Sequence, residues 1–179
     1  MITSEVYDHA HSGDVTRVAQ WLEKNPDSLN TPVSDGFNAL HVACLFGHEP
    51  LVRHLVSRGA LVNIDADNDS RATPLHLAVS FRDEKIAASI AQYLIDHGAE
   101  LNAMQKGGQT PLHHAVARGS TLLVDLLIEA GGDPFLADDQ GRSPADLARE
   151  LSPEMHSDEI RATLKKAFAL SPSVEITSP

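Results

Sequence analysis

Cysteine is almost missing from this chain. Cys44 is the only one in 179 residues, so no internal disulfide can form. It stands beside Ala43 in a run of small residues and reads as an inert core thiol. Aromatic residues make up only 4%, which suits a core built from Leu, Val and Ala on short helices. Basic side chains are few, 14 against 25 acidic ones, for a formal net charge of -11. Such a surface repels phosphate backbones and argues against nucleic acid as a partner. A basic protein is the partner the charge favours. No apolar run approaches the ~20 residues needed to span a bilayer. A basic-then-apolar leader is missing too, since Ser4, Glu5 and Asp8 occupy its place. A cytoplasmic protein is expected, or a periplasmic or secreted one if a leader has been removed.

Catalytic signatures are also lacking. There is no Gly-x-x-x-x-Gly-Lys loop, no Gly-x-Ser-x-Gly elbow, no His-x-x-x-His and no Cys-x-x-Cys. Asp65, Asp67 and Asp69 have the alternate spacing of a calcium loop. Its sixth-position glycine and twelfth-position glutamate are missing, and Arg71 and His76 stand near those places. The ten histidines do not group by spacing. His113 and His114 are adjacent and point to different helix faces. His54 and His97 fall on expected second helices and should face solvent. No cofactor, metal or catalytic residue is expected.

What is present is repetition. Ala72-Thr73-Pro74-Leu75-His76-Leu77-Ala78 recurs as Gln109-Thr110-Pro111-Leu112-His113-His114-Ala115. Weaker copies stand at Phe37-Asn38-Ala39-Leu40-His41-Val42-Ala43 and at Arg142-Ser143-Pro144-Ala145-Asp146-Leu147-Ala148. The anchors at 40, 75, 112 and 145 lie 35, 37 and 33 apart. A near-constant period of this size marks a stack of like units. Thr73, Thr110, Ser143 and Asn38 are residue types that cap a helix N-terminus. Proline follows three of them at the first helical position, where its missing N–H costs nothing. The Leu and later Ala residues fall on one helical face and should be buried.

Thr-Pro-Leu-His and its period resemble the ankyrin repeat. The resemblance covers about Val6 to about Phe168. It implies an all-α solenoid of about five helix-turn-helix repeats with β-turn fingers, the terminal repeats being degenerate caps. It also implies that each motif histidine bonds neighbouring backbone and ties one turn to the next. One domain over 1–170 is expected. Its parts are an N-terminal cap at 1–31, repeat 2 at 32–65, repeat 3 at 66–103, repeat 4 at 104–137 and a C-terminal cap at 138–170. Residues 171–179 are expected to be a disordered tail.

Along the chain, helices are expected over Ile2–Ser12 and Asp14–Glu23, broken at Gly13, with Trp21 covering the edge of the core. Gly59 should end the second helix of repeat 2. Repeat 3 departs from the pattern. Leu75 to Gly98 spans 23 positions where Leu40 to Gly59 and Leu112 to Gly131 span 19. Four residues are therefore extra, around Phe81 to Ser89, and a loop is where a solenoid usually takes them. The turn Asp65–Ser70 is two residues longer than its neighbour. Arg71 replaces the turn glycine seen as Gly36, Gly108 and Gly141, which predicts a different backbone shape. Ser152-Pro153 should break the chain before a last helix from about Ser157 to Phe168. That helix should turn Ile160, Leu164, Ala167 and Phe168 inward, and Arg161, Lys165 and Lys166 outward.

The resemblance further implies a concave binding face made of turn tips and the exposed side of each first helix. Carried over position by position, that face comprises Asp35 and Phe37, then Asp69 and Ser70, then Lys106 and Gln109, then Asp139, Gln140 and Arg142. The first-helix ends add Leu45, Phe46, Ser80, Phe81 and Arg118. Phe37, Phe46 and Phe81 have the character of interface anchors; packing between repeats is the competing reading for Phe46 and Phe81. The function expected is a non-catalytic, monomeric scaffold that binds a protein and meets neither membrane nor nucleic acid. A sharper version is an inhibitor or immunity protein that covers a basic enzyme. A metal protein or enzyme using the histidines, and a self-associating structural module, are the rivals.

Overall fold

A computed structural model describes residues 2–151 and 157–170. The expected tail at 171–179 and the break at Ser152-Pro153 lie outside these residues, as do the side chains of Ala167 and Phe168. The described chain is all helical apart from turns: α1 (Ile2–His11), α2 (Val15–Lys24), α3 (Ala39–Leu45), α4 (Glu49–Ser57), α5 (Pro74–Ser80), α6 (Glu84–Asp96), α7 (Pro111–Ala117), α8 (Thr121–Glu129), α9 (Pro144–Glu150) and α10 (Ser157–Leu170). Among the described residues there is no strand, only an isolated bridge between Ser34 and Phe37.

The helices form two layers. The odd-numbered ones pack in sequence, α1 on α3, α3 on α5, α5 on α7 and α7 on α9. The even-numbered ones do the same from α2 to α10. No seven-residue helix is stable alone in water. Each exists here because its apolar face meets a neighbour. Leu40, Leu75 and Leu112 of the motif are buried, as are Leu51, Leu55, Ile90, Leu94, Leu123 and Leu127 of the second layer. Burying one such side chain stabilises by about 1.5–3 kcal/mol. Trp21 belongs to this core at 9% exposure, and the last helix contributes Ile160 and Leu164. Cys44 is fully buried, and burial pushes its thiol far above the usual range. Such a thiol is inert at neutral pH.

Inside repeats 2, 3 and 4 the two helices are joined by three residues: Phe46 to His48, Phe81 to Asp83, and Arg118 to Ser120. The four extra residues of repeat 3 are therefore not in its loop. They make α6 13 residues long against 9 in α4 and α8. Four residues add about one turn, so the insertion keeps the buried face in phase. A loop insertion would have been the cheaper guess, but only a whole turn leaves Ile90 and Leu94 facing the core.

The loop of that repeat differs for another reason. Gly13, Gly47 and Gly119 supply a positive φ near +70° between α1 and α2, α3 and α4, and α7 and α8. Repeat 3 has no glycine there, and Phe81 is extended at φ -67°, ψ 138°. Arg161, expected to point outward, instead lies across the end of α9. Its Nε and Nη2 donate to the carbonyls of Ala148 at 2.8 Å, Arg149 at 3.0 Å and Leu151 at 3.2 Å. Last-turn carbonyls lack helical partners, and a guanidinium has donors enough for three of them.

Candidate functional site

The fingers are short hairpin turns closed by Val33 N–H to Phe37 O, Gln105 N–H to Gln109 O and Asp138 N–H to Arg142 O. The repeat 3 finger closes later, from Ala66 N–H to Ala72 O, which accommodates the two extra residues. Neighbouring fingers hydrogen-bond through backbone: Asp67 N–H to Gly36 O at 2.8 Å, Lys106 N–H to Ser70 O at 2.8 Å, and Asp139 N–H to Gly107 O at 2.9 Å. Arg71 does not reshape its turn. It adopts φ +50°, close to the +76°, +73° and +76° of Gly36, Gly108 and Gly141. The stacking of fingers fixes the backbone, and the side chain has to comply.

Beneath the fingers runs a histidine relay. His41 Nε2 donates to Ala72 O, His76 Nε2 to Gln109 O and His113 Nε2 to Arg142 O, each at 3.0 Å. A carbonyl only accepts, so Nε2 carries the proton and Nδ1 must accept. It does so from the backbone N–H of Asn38, Thr73 and Thr110 at 3.3, 3.2 and 3.1 Å. Thr73 and Thr110 also donate their hydroxyls to Nδ1 at 2.8 Å. Burial depresses His41 and His76 to about 4, so both are neutral at pH 7. The relay stops at Asp146, which makes no bond to a following finger and instead accepts from Ser143 N–H and Oγ–H and pairs with Arg149 one turn on. Holding those two donors keeps its carboxyl below the usual carboxylate range.

The sequence-derived residues divide into two groups by exposure. Asp35, Asp69, Ser80, Lys106, Asp139 and Gln140 are exposed. Phe37, Leu45, Phe46, Ser70, Phe81, Gln109, Arg118 and Arg142 are half-buried. The phenylalanines touch their own chain. Phe37 lies 5.6 Å from the His41 ring, Phe46 meets His11 edge-on at 4.2 Å, and Phe81 covers Gly47 so closely that no Cβ would fit there. Arg118 donates to the carbonyls of Val79 at 2.7 Å, Arg82 at 3.3 Å and Phe81. Arg142 pairs with the buried Asp138 at 3.3 Å. Lys106 reaches Asp69 at 3.5 Å between two exposed side chains, an ion pair of little energetic weight.

Sequence reading missed His114. Its Nδ1 lies 3.2 Å from Ser80 Oγ and its Nε2 2.9 Å from the Gln105 amide nitrogen. Ser80 already donates to His76 O, so His114 Nδ1 is the donor and its Nε2 the acceptor. Burial lowers its basicity, helped by His113 and Arg118. The signal was there: Val42, Leu77 and Leu147 hold the same motif position, and only repeat 4 puts a polar group in it. Missed too was an asparagine ladder, in which Asn30, Asn63 and Asn102 accept from Leu61, Glu100 and Asp133 N–H of the following repeat. His97 is exposed as expected and bonds Tyr93 O, whereas His54 is half-buried with its Nε2 enclosed.

Among the described residues no three His, Cys, Asp or Glu side chains converge as a metal site would require. None of their helices is long and apolar enough to cross a membrane.

Two models of ankyrin repeats match, one over residues 7–105 and one over 94–148. Among curated proteins, the chain is 37% identical over 108 residues to the nuclear factor NF-kappa-B p105 subunit of Mus musculus. It is 33% identical over 140 residues to the putative palmitoyltransferase ZDHHC13 of Danio rerio. It is 32% identical over 114 residues to the probable 26S proteasome regulatory subunit p28 of Saccharomyces cerevisiae. These matches cover 60%, 78% and 63% of this chain but only 11%, 21% and 48% of the relatives. The chain spans less than half the length of each of these relatives, so their individual activities do not transfer with the likeness.

Proposed function

Because the chain belongs to the ankyrin-repeat family, whose repeats as a rule mediate protein–protein interaction, we propose that it is a non-catalytic module gripping a protein partner on the concave face of fingers and first helices. The observation that carries this reading is the division of labour in the stack. Relay, finger ladder and buried leucines spend the motif residues on the fold. Asp35, Asp69, Ser80, Lys106, Asp139 and Gln140, which differ from one unit to the next, all stand exposed along successive units. A chain in which the repeated residues build the stack and the non-repeated ones face outward suits a scaffold for recognition.

The reading includes a single repeat domain over 1–170 with the five units given above, working as a monomer in the cytoplasm. The partner is a basic protein, since a net charge of -11 speeds encounter with positive surfaces. Cover of a basic enzyme's active site is the sharper version. The test is a pull-down from native extract, washed at low and high salt, followed by Ser80→Arg. A bulky cation at this position gives up the hydroxyl's bonds to His76 O and His114 Nδ1, so the melting point should fall by a few degrees, while helix content stays unchanged and partner retention falls at least tenfold. Full retention by Ser80→Arg, with loss instead from Gln92→Arg on the exposed face of α6, would overturn the concave-face assignment.

A further inference from the structure

The face is not uniform, and its unevenness says what kind of segment it holds. The fingers of repeats 2 and 3, residues 33–37 and 65–72, carry four carboxylates, Asp35, Asp65, Asp67 and Asp69, against the single cation Arg71. Arg71 is occupied by Asp65 at 3.0 Å. The fingers of repeats 4 and 5, residues 105–109 and 138–142, are balanced, with Asp138 and Asp139 against Lys106 and Arg142. The first helices divide the same way. Those of repeats 2 and 3 end in Leu45-Phe46 and Ser80-Phe81, with Leu77 half-exposed between them. Repeat 4 offers His114, Ala117 and Arg118 instead, and the polar groups of His114 and Arg118 are already bonded within the chain. An apolar strip flanked by an acidic rail therefore exists on repeats 2 and 3 and is interrupted at repeat 4.

Resting on the concave-face reading above, we infer that repeats 2 and 3 take an amphipathic basic segment of the partner. Its apolar side lies on Leu45, Phe46 and Phe81, and its lysines or arginines face Asp35, Asp67 and Asp69. Charge complementarity selects a cationic edge over an anionic one. The strip suits apolar anchors at helical spacing, as when an amphipathic helix lies in a groove. Repeat 4 acts as the wall that ends the site.

Two synthetic 14-residue helical peptides of matched length test this, one of Leu and Lys and one of Leu and Glu, each with Leu on one face. Amide shifts of the full chain are mapped by NMR during titration. The Leu/Lys peptide should shift residues 35–46 and 67–81, and the Leu/Glu peptide should shift neither. Asp67→Asn with Asp69→Asn should weaken Leu/Lys binding at least tenfold, and Asp139→Asn by less than twofold. Equal response to both peptides, shifts centred on repeats 4 and 5, or no shifts at all would overturn the inference. Cross-linking of the native partner separates the two levels. A partner captured from Ala117 but not from Leu45 removes this inference alone. A partner captured only from the exposed face of α6 removes the concave-face reading with it.

Discussion

Repeats 3 and 4 begin alike. Each opens with Thr-Pro-Leu-His, buries the same leucine, and ties its histidine to the next finger at 3.0 Å. After the first helix they part. Repeat 4 turns through Gly119 with φ +69° and continues into a nine-residue helix. Repeat 3 has no glycine at its turn, an extended Phe81, an added helical turn and a lengthened finger. The irregular unit is held by the regular one: Arg118 and Ser120 of repeat 4 reach back to the carbonyls of Val79, Phe81 and Arg82 and to Glu84. What the two share carries the stack, and what differs needs a brace from the neighbour. A repeat can drift only as far as its neighbour can bond the groups that drift exposes.

Acid attacks the shared part and gives the largest effect. His41 and His76 are neutral and buried with pKa values near 4, against about 6.5 in an unfolded chain. The unfolded chain then takes protons more readily, so stability is complete above pH 6.5 and falls as pH drops toward 4. The two together should cost about 4 kcal/mol by pH 5. Urea denaturation at pH 7, 6 and 5 reads this directly, and a flat midpoint across that range would contradict a buried neutral relay.

The brace comes next. Arg118→Ala removes the partner of three carbonyls and should cost about 2–4 kcal/mol. Arg118→Lys should recover little of it, because one ammonium on a flexible stem cannot span three acceptors. Chemical denaturation of both variants checks this. If Arg118→Ala unfolds no more easily than the parent, repeat 3 stands without its neighbour and the comparison above fails.

Repeat 2 sharpens the account of the relay itself. Asn38 stands where repeats 3 and 4 have threonine. Its Oδ1 accepts from His41 N–H at 3.0 Å yet lies 2.9 Å from His41 Nδ1, which also accepts. Its amide nitrogen is buried without a partner. Turning the amide over only moves the shortfall to the helix N–H. A threonine hydroxyl can donate to Nδ1 and has no second group to satisfy. Asn38→Thr should therefore stabilise by about 1 kcal/mol, seen as a rise in the thermal midpoint.

Most of the framework was legible because it is local. Cap, proline, leucine and glycine act within one turn of their own position, so Ala39–Leu45, Pro74–Ser80 and Pro111–Ala117 follow from the motif. The relay was legible through likeness to known repeats, since nothing in one repeat reveals which carbonyl, 29 to 33 residues away, accepts the next proton. Arg161, Arg118 and His114 were read as outward or left aside for that same reason. A cation on a helix looks solvent-facing until the neighbouring helix end that needs its donors is known. The proposed face was read only as positions: the sequence marks which residues fall outside the repeated motif, and the structure adds which of their polar groups are already bonded.

The smallest expected change removes one difference between the two repeats. Arg71 holds φ +50° where its counterparts are glycine. A side chain in the left-handed region costs about 1 kcal/mol relative to glycine. Glycine also gives the unfolded chain more freedom to lose, which offsets part of the gain. The ion pair to Asp65 would disappear, but both groups are largely exposed, at 68% and 43%, and such pairs contribute little. Arg71→Gly should therefore stabilise by about 0.5 kcal/mol, near the limit of a careful denaturation series. A loss of more than that size would mean that the Arg71–Asp65 pair, and not the stacking of fingers, fixes the longer turn.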